Sequence, residues 1–158
     1  GTYRAAISAC GKGAQCNEAL GTLSDMLRRR VEPDVILYSA AINACEKGAR
    51  WHEALRLFSS MHMYCLEPNV ITFNVAISAC GKGDGWQHAL GIFADMRLRN
   101  LEQDVITFCA AINACRRGSL WQEALGKLSN MHVCRLEPNV ITCNVAITAC
   151  EKGGRWHE

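Results

Sequence analysis

Between Val35 and Asn69 the apolar residues fall into two stripes, each with the spacing of a helix face. In the first, Tyr38, Ala41, Ile42 and Cys45 recur at steps of three and four, so they share one side of a helix of about three turns. In the second, Trp51, Ala54, Leu55, Phe58 and Met61 do the same. Pro68 closes the second stripe and Asn69 leads into the next helix. Nothing in this spacing leaves room for a strand, and the predicted element is a helical hairpin.

The hairpin returns along the whole chain with a period of thirty-five. VILYSAAINACEKGARWHEALRLFSSMHMYCLEPN is followed by VITFNVAISACGKGDGWQHALGIFADMRLRNLEQD and then VITFCAAINACRRGSLWQEALGKLSNMHVCRLEPN. Cys10, Cys45, Cys80, Cys115 and Cys150 keep the step, as do Gly13, Gly48, Gly83, Gly118 and Gly153. Trp51, Trp86, Trp121 and Trp156 keep it too, with Cys16 in the first slot. A fixed period of this size marks a solenoid, in which no unit buries a core alone and each must stack on its neighbours. The fold class is therefore all-α, an α-solenoid of stacked hairpins. Residues 1–34 form a partial unit, 35–69, 70–104 and 105–139 form complete ones, and 140–158 form a second partial unit. Gly1 falls inside a unit and Glu158 at the start of a helix, as expected of an excerpt from a longer array. LEPNVIT at Leu66 returns at Leu136, and AAINAC at Ala40 returns at Ala110, which points to duplication of a pair of units.

Helix ends have their own signals. Thr72, Thr107 and Thr142 stand ahead of the first helices and are expected as N-caps, with Leu37 the exception. Gly48 and its equivalents suit the left-handed residue that closes a helix. Glu18, Glu53, Glu123 and Glu158 open second helices, where a negative charge favours the N-terminus.

Composition narrows the chemistry. The net charge is only +2, so any polyanion must be recognised by the distribution of charge rather than its total. Ten cysteines suggest a disulfide scaffold. For the five in one phase the geometry is wrong: stacked helices lie roughly 8–10 Å apart, beyond the ~4.4–6.8 Å Cα separation of a disulfide. They read as small buried apolar residues in a reducing compartment. There is no CxxC pair or zinc-like Cys/His spacing, so no metal or cofactor is expected. No run of apolar residues is long enough to cross a membrane. His52, His62, His88, His132 and His157 lie on second helices without a nucleophile partner and read as a solvated face, so no enzyme activity or small-molecule substrate is expected of this segment.

The period of thirty-five and the Trp at the start of the second helix exclude the tetratricopeptide pattern. The run VITFNVAISACGKG, then W-x-x-AL, a late Met and a closing L-E-P-D/N, resembles the pentatricopeptide repeat family over the whole chain. The resemblance implies a right-handed superhelix that binds single-stranded RNA, roughly one base per unit, in a mitochondrion or plastid.

Three columns of residues would carry such binding. Lys12, Lys47, Lys82, Arg117 and Lys152 end the first helices and would offer a ladder of positive charge to phosphates; a cation at a helix C-terminus is also favourable by itself. Ile36, Ile71, Ile106 and Ile141 occupy the place where the family sandwiches bases, and ordinary core packing is the competing account. By the resemblance, the fifth and last residues of each unit choose the base. Ser39 with Asn69 implies adenine, and Asn74 with Asp104 implies uracil. Cys109 with Asn139 departs from the usual pairs and implies at most a weak adenine preference. Arg4 with Asp34 is unusual because the long cation can pair with the carboxylate, and Asn144 implies a pyrimidine. Asp34, Asn69, Asp104 and Asn139 also suit turns or caps. The alternative function is a protein-binding scaffold using the same concave groove.

Overall fold

The computed structural model describes residues 2–153, so Trp156, His157 and Glu158 lie outside the described residues. The described residues fold as nine α-helices: α1 Thr2–Lys12, α2 Cys16–Arg28, α3 Val35–Lys47, α4 Trp51–Ser60, α5 Val70–Lys82, α6 Trp86–Leu98, α7 Val105–Arg117, α8 Trp121–Val133 and α9 Val140–Lys152, with no strand among them. Helix α4 tightens into a 3-10 turn at Met61–Tyr64.

The first expected stripe is core, and in the second Ala54 and Met61 are buried while Trp51, Leu55 and Phe58 are half-buried against the core. Tyr38, Ala41, Ile42 and Cys45 are all buried, and Leu37 and Ala44 join them. Met26, Met61, Met96 and Met131, one per hairpin, are likewise buried. Each odd-numbered helix packs against the next odd-numbered helix, and each even-numbered helix packs against the odd-numbered helices on either side of it. The odd-numbered helices therefore form one continuous row, which is the α-solenoid. In that row Phe73 and Phe108 are fully buried and meet Phe58 and Phe93 edge to face, at 5.2 and 5.4 Å between ring centroids.

Two expectations about helix ends are corrected. The N-caps of α3, α5, α7 and α9 are Asp34, Asn69, Asp104 and Asn139, whose side chains accept from the backbone N–H three residues on. Thr72, Thr107 and Thr142 stand at the third helical position instead and return the bond to the cap residue's N–H, completing a capping box. Helices begin one turn earlier than the Thr residues suggest because the closing Asp or Asn of each step is the better cap.

The glycines are not left-handed either. Gly48 and Gly118 have φ of −82° and −84°, and the left-handed residues are their successors Ala49 and Ser119, with φ of 57° and 56°. At Gly118 it is close approach that requires glycine. A Cβ on Gly118 would stand 2.8 Å from the Trp86 ring, and one on Gly85 would stand 2.6 Å from the Trp51 ring. Each of these Trp rings thus lies on the backbone that follows the next first helix.

The first such slot differs. Cys16 replaces the Trp, and its Sγ lies 2.6 Å from Sγ of Cys45, both thiols being free and buried. Comparison of cysteines within one phase could not detect this pair. Burial pushes the Cys80 and Cys115 thiols up to about 11, which suits inert packing groups.

Candidate functional site

The fifth and last residues of each unit, thirty positions apart in sequence, approach one another because the last residue caps the helix that packs beside the fifth. At the first junction the Arg4 guanidinium forms an ion pair with Asp34. Burial alone would raise the Asp34 pKa, but the Leu37 N–H and the Arg4 cation outweigh it and hold the carboxyl below its usual value.

At the third junction Asn74 Nδ2 donates to both carboxylate oxygens of Asp104, at 3.2 and 3.4 Å. Thr107 completes the group: its Oγ1 lies 2.6 Å from Asn74 Oδ1 and 2.8 Å from Asp104 Oδ1. At the second junction Ser39 Oγ lies 2.7 Å from Thr72 Oγ1, and Thr72 Oγ1 lies 2.9 Å from Asn69 Oδ1. Thr72 and Thr107 therefore join these pairs in addition to closing their helices, whereas among the described residues the Thr142 side chain bonds only to Asn139. The signal was available: a hydroxyl recurs at one phase in the three later first helices and is missing only where Leu37 stands.

At the fourth junction Cys109 and Asn139 line one cavity of about 360 Å³ together with Ile106, Ile141, Ser78 and Lys82. This places a pair from the column expected to choose the base, two members of the isoleucine column and one of the basic column around a single opening. The isoleucines are not core. Ile36, Ile71, Ile106 and Ile141 are 59%, 64%, 65% and 62% exposed, which removes the packing account of that column. Asn144 is exposed on α9.

The basic column is present but uneven. Lys12, Lys47, Lys82, Arg117 and Lys152 are all exposed. Lys82 is held by Glu46, which also accepts from Ser78 at 2.9 Å. Arg117 donates to the backbone carbonyl of Lys82, so it also satisfies the C-terminus of α5. Lys12 and Lys47 make no ion pair among the described residues. Arg116, beside Arg117, adds positive charge where the equivalent positions hold Gly11, Glu46, Gly81 and Glu151.

Among the described residues no group of three His, Cys, Asp or Glu side chains is placed to hold a metal ion, and no helix is long and apolar enough to cross a membrane. His52 stacks on its neighbour Trp51, with 3.6 Å between ring centroids.

Family models match the sequence over most of its length. That of the PPR repeat family matches residues 33–82 and 68–117, and that of the PPR repeat matches residues 1–31. The chain belongs to the pentatricopeptide repeat family. Among solved structures of the family, PPR10 in complex with an 18-nt psaJ RNA element superposes with a TM-score of 0.74 at 25% identity, covering 92% of this chain and 22% of PPR10. The PPR domain of Arabidopsis thaliana protein-only RNase P 1 in complex with tRNA shares the fold, with a TM-score of 0.80 at 15% identity over 95% of this chain and 82% of that one. PPR10 from maize gives 0.54 at 19% identity, covering 99% of this chain and 27% of PPR10. Comparison with curated protein sequences finds no match. The chain thus spans about a fifth of the length of the RNA-bound PPR10 it resembles.

Proposed function

We propose that this pentatricopeptide array binds single-stranded RNA along the row of odd-numbered helices, about one base per unit, and serves RNA processing, stability or translation in a mitochondrion or plastid. The observation that carries the reading is the cavity at the fourth junction, which Ile106, Ile141, Cys109, Asn139 and Lys82 line together. Exposed apolar residues cost free energy in water and suit the faces of unstacked bases, while small polar groups between them meet a base edge. Family membership supports RNA as the ligand, and so does the structural likeness to PPR10 bound to an RNA element.

The third unit gives the reading chemical detail. With one N–H of Asn74 bonded to Asp104, the other remains to donate, and Asp104 keeps lone pairs to accept. A donor beside an acceptor matches the carbonyl and N3–H of uracil. Ser39 with Asn69 corresponds to adenine, Cys109 with Asn139 to a weak adenine preference, and Asn144 to a pyrimidine. Arg4 is bound to Asp34, so the first unit contributes little selection. Affinity of this segment is modest, since stacking supplies about 1–3 kcal/mol per base and association costs consume much of it.

The test is charge reversal at Lys47, Lys82 and Arg117 together. RNA retention is expected to disappear with the helical signal intact, and wild-type binding is expected to weaken as salt rises. Undiminished retention by the triple variant would reject the basic column as the phosphate contact, and failure of the wild-type chain to retain RNA would reject the RNA reading in favour of a protein ligand in the groove.

A further inference from the structure

We propose that Thr107, and Thr72 in the preceding unit, are positioning residues for base choice, fixing the orientation of the group that meets the base in addition to closing a helix. The inference rests on the RNA reading above and adds to it a residue outside the fifth and last positions.

The geometry at Thr107 is specific. An asparagine amide is nearly symmetric in shape, so which end faces which partner depends on hydrogen bonds alone. Here Nδ2 of Asn74 faces two carboxylate oxygens of Asp104, and Oδ1 faces the Thr107 hydroxyl at 2.6 Å. Reversal of the amide would set oxygen against carboxylate and turn an N–H toward the hydroxyl. Thr107 is fully buried and Asn74 is 8% exposed, so water cannot replace the hydroxyl without opening the junction. With the amide locked this way, the remaining N–H of Asn74 is what a base meets, and a donor there is what separates the uracil and guanine carbonyls from an amino group. The hydroxyl thereby acts on the base through Asn74.

The same placement recurs at the second junction, where Thr72 Oγ1 stands between Ser39 Oγ and Asn69 Oδ1 at 2.7 and 2.9 Å. A hydroxyl there decides whether Ser39 donates or accepts, because two facing hydroxyls share one proton between their oxygens. At the first junction Leu37 has no hydroxyl, and the fifth residue there is Arg4, which fastens itself to Asp34 by charge. The Thr is present where the fifth residue is a short amide, hydroxyl or thiol, and absent where it is a long cation.

A capping box alone would explain a Thr at this phase, and the two roles differ in what they change. Loss of a cap lowers stability and weakens every ligand alike. Loss of an orienting bond changes the ratio between ligands. The experiment compares Thr107→Val and Thr107→Ser with the wild-type chain, using four oligoribonucleotides that differ only in the base facing the third unit. The side-chain amide resonances of Asn74 are followed in the RNA-free proteins by 15N-resolved NMR. Thr107→Val is expected to reduce the preference for uracil over cytosine several-fold at that register and at no other, and to bring the two Asn74 amide protons toward averaged shifts. Thr107→Ser, which keeps the hydroxyl, is expected to restore both. If Thr107→Val scales all four affinities by one factor and leaves the Asn74 resonances unmoved, Thr107 is a cap and nothing more. If the wild-type chain distinguishes no base at that register, the RNA reading itself falls, and the amide resonances still decide whether Thr107 orients Asn74.

Discussion

The first and third junctions of the array use the same phases of the repeat and solve the same packing problem with different chemistry. At the third, an amide, a carboxylate and a hydroxyl meet between Asn74, Asp104 and Thr107, and the Trp86 ring covers Gly118. At the first, Arg4 pairs with Asp34, Leu37 replaces the hydroxyl, and Cys16 beside Cys45 replaces the Trp. The third junction keeps short polar groups with spare hydrogen-bonding capacity, whereas the first satisfies its carboxylate with a cation of its own chain. A repeat thus fixes where the helices lie without fixing which junctions remain available to a ligand.

The largest effect expected from this contrast is on stability. Gly118→Ala drives a Cβ to 2.8 Å from the Trp86 ring, and overpacking of this kind costs about 1–3 kcal/mol. At Gly48 the nearest atoms to an added Cβ are the Ala44 carbonyl at 3.3 Å and Cys16 Cβ at 3.4 Å, so Gly48→Ala is expected to be the milder change. Urea denaturation of the two variants measures the difference, and equal losses would show that the Trp slot does not set the requirement for glycine.

A smaller effect is expected when the first junction is rebuilt as the third. Arg4→Asn alone supplies the amide but leaves it without a hydroxyl. Arg4→Asn with Leu37→Thr supplies both, and only the double variant is expected to gain a clear uracil preference at that register, read by competition between oligoribonucleotides. Full selectivity from Arg4→Asn by itself would show that the hydroxyl is dispensable.

The smallest is a pH effect. Asp34 has a folded pKa below the usual aspartate value, so its contribution is present above about pH 4 and is lost as pH falls through the lower folded value. Because both side chains are about half exposed, solvent screens the pair and the change is slight. Arg4→Ala is expected to flatten that part of the stability profile in acid denaturation curves, and an unchanged profile would remove Arg4 as the cause.

The helices were legible because each stripe is an intra-helix pattern: Tyr38, Ala41, Ile42 and Cys45 lie on one face whatever the neighbours do. The Arg4–Asp34 pair was legible from its chemistry, a long cation opposite a carboxylate. The role of glycine was not, since the closeness of Trp86 to Gly118 belongs to packing between units rather than to the chain's local conformation. Thr107 with Asn74 and Cys45 with Cys16 were missed for a related reason. They lie thirty-three and twenty-nine positions apart, so they join different phases, and a comparison of equal phases cannot show them. The isoleucine column needed the structure as well, because a β-branched residue on a helix suits a core and an exposed groove equally until burial is measured.

The most direct measurement is the base preference of Asn74→Ser beside the wild-type chain, taken register by register with short oligoribonucleotides. The account gives uracil opposite the third unit in the wild type and a shift toward guanine in the variant, with the adenine preference opposite the second unit unchanged. Identical preferences in the two proteins, or a change spread over every register, would contradict it.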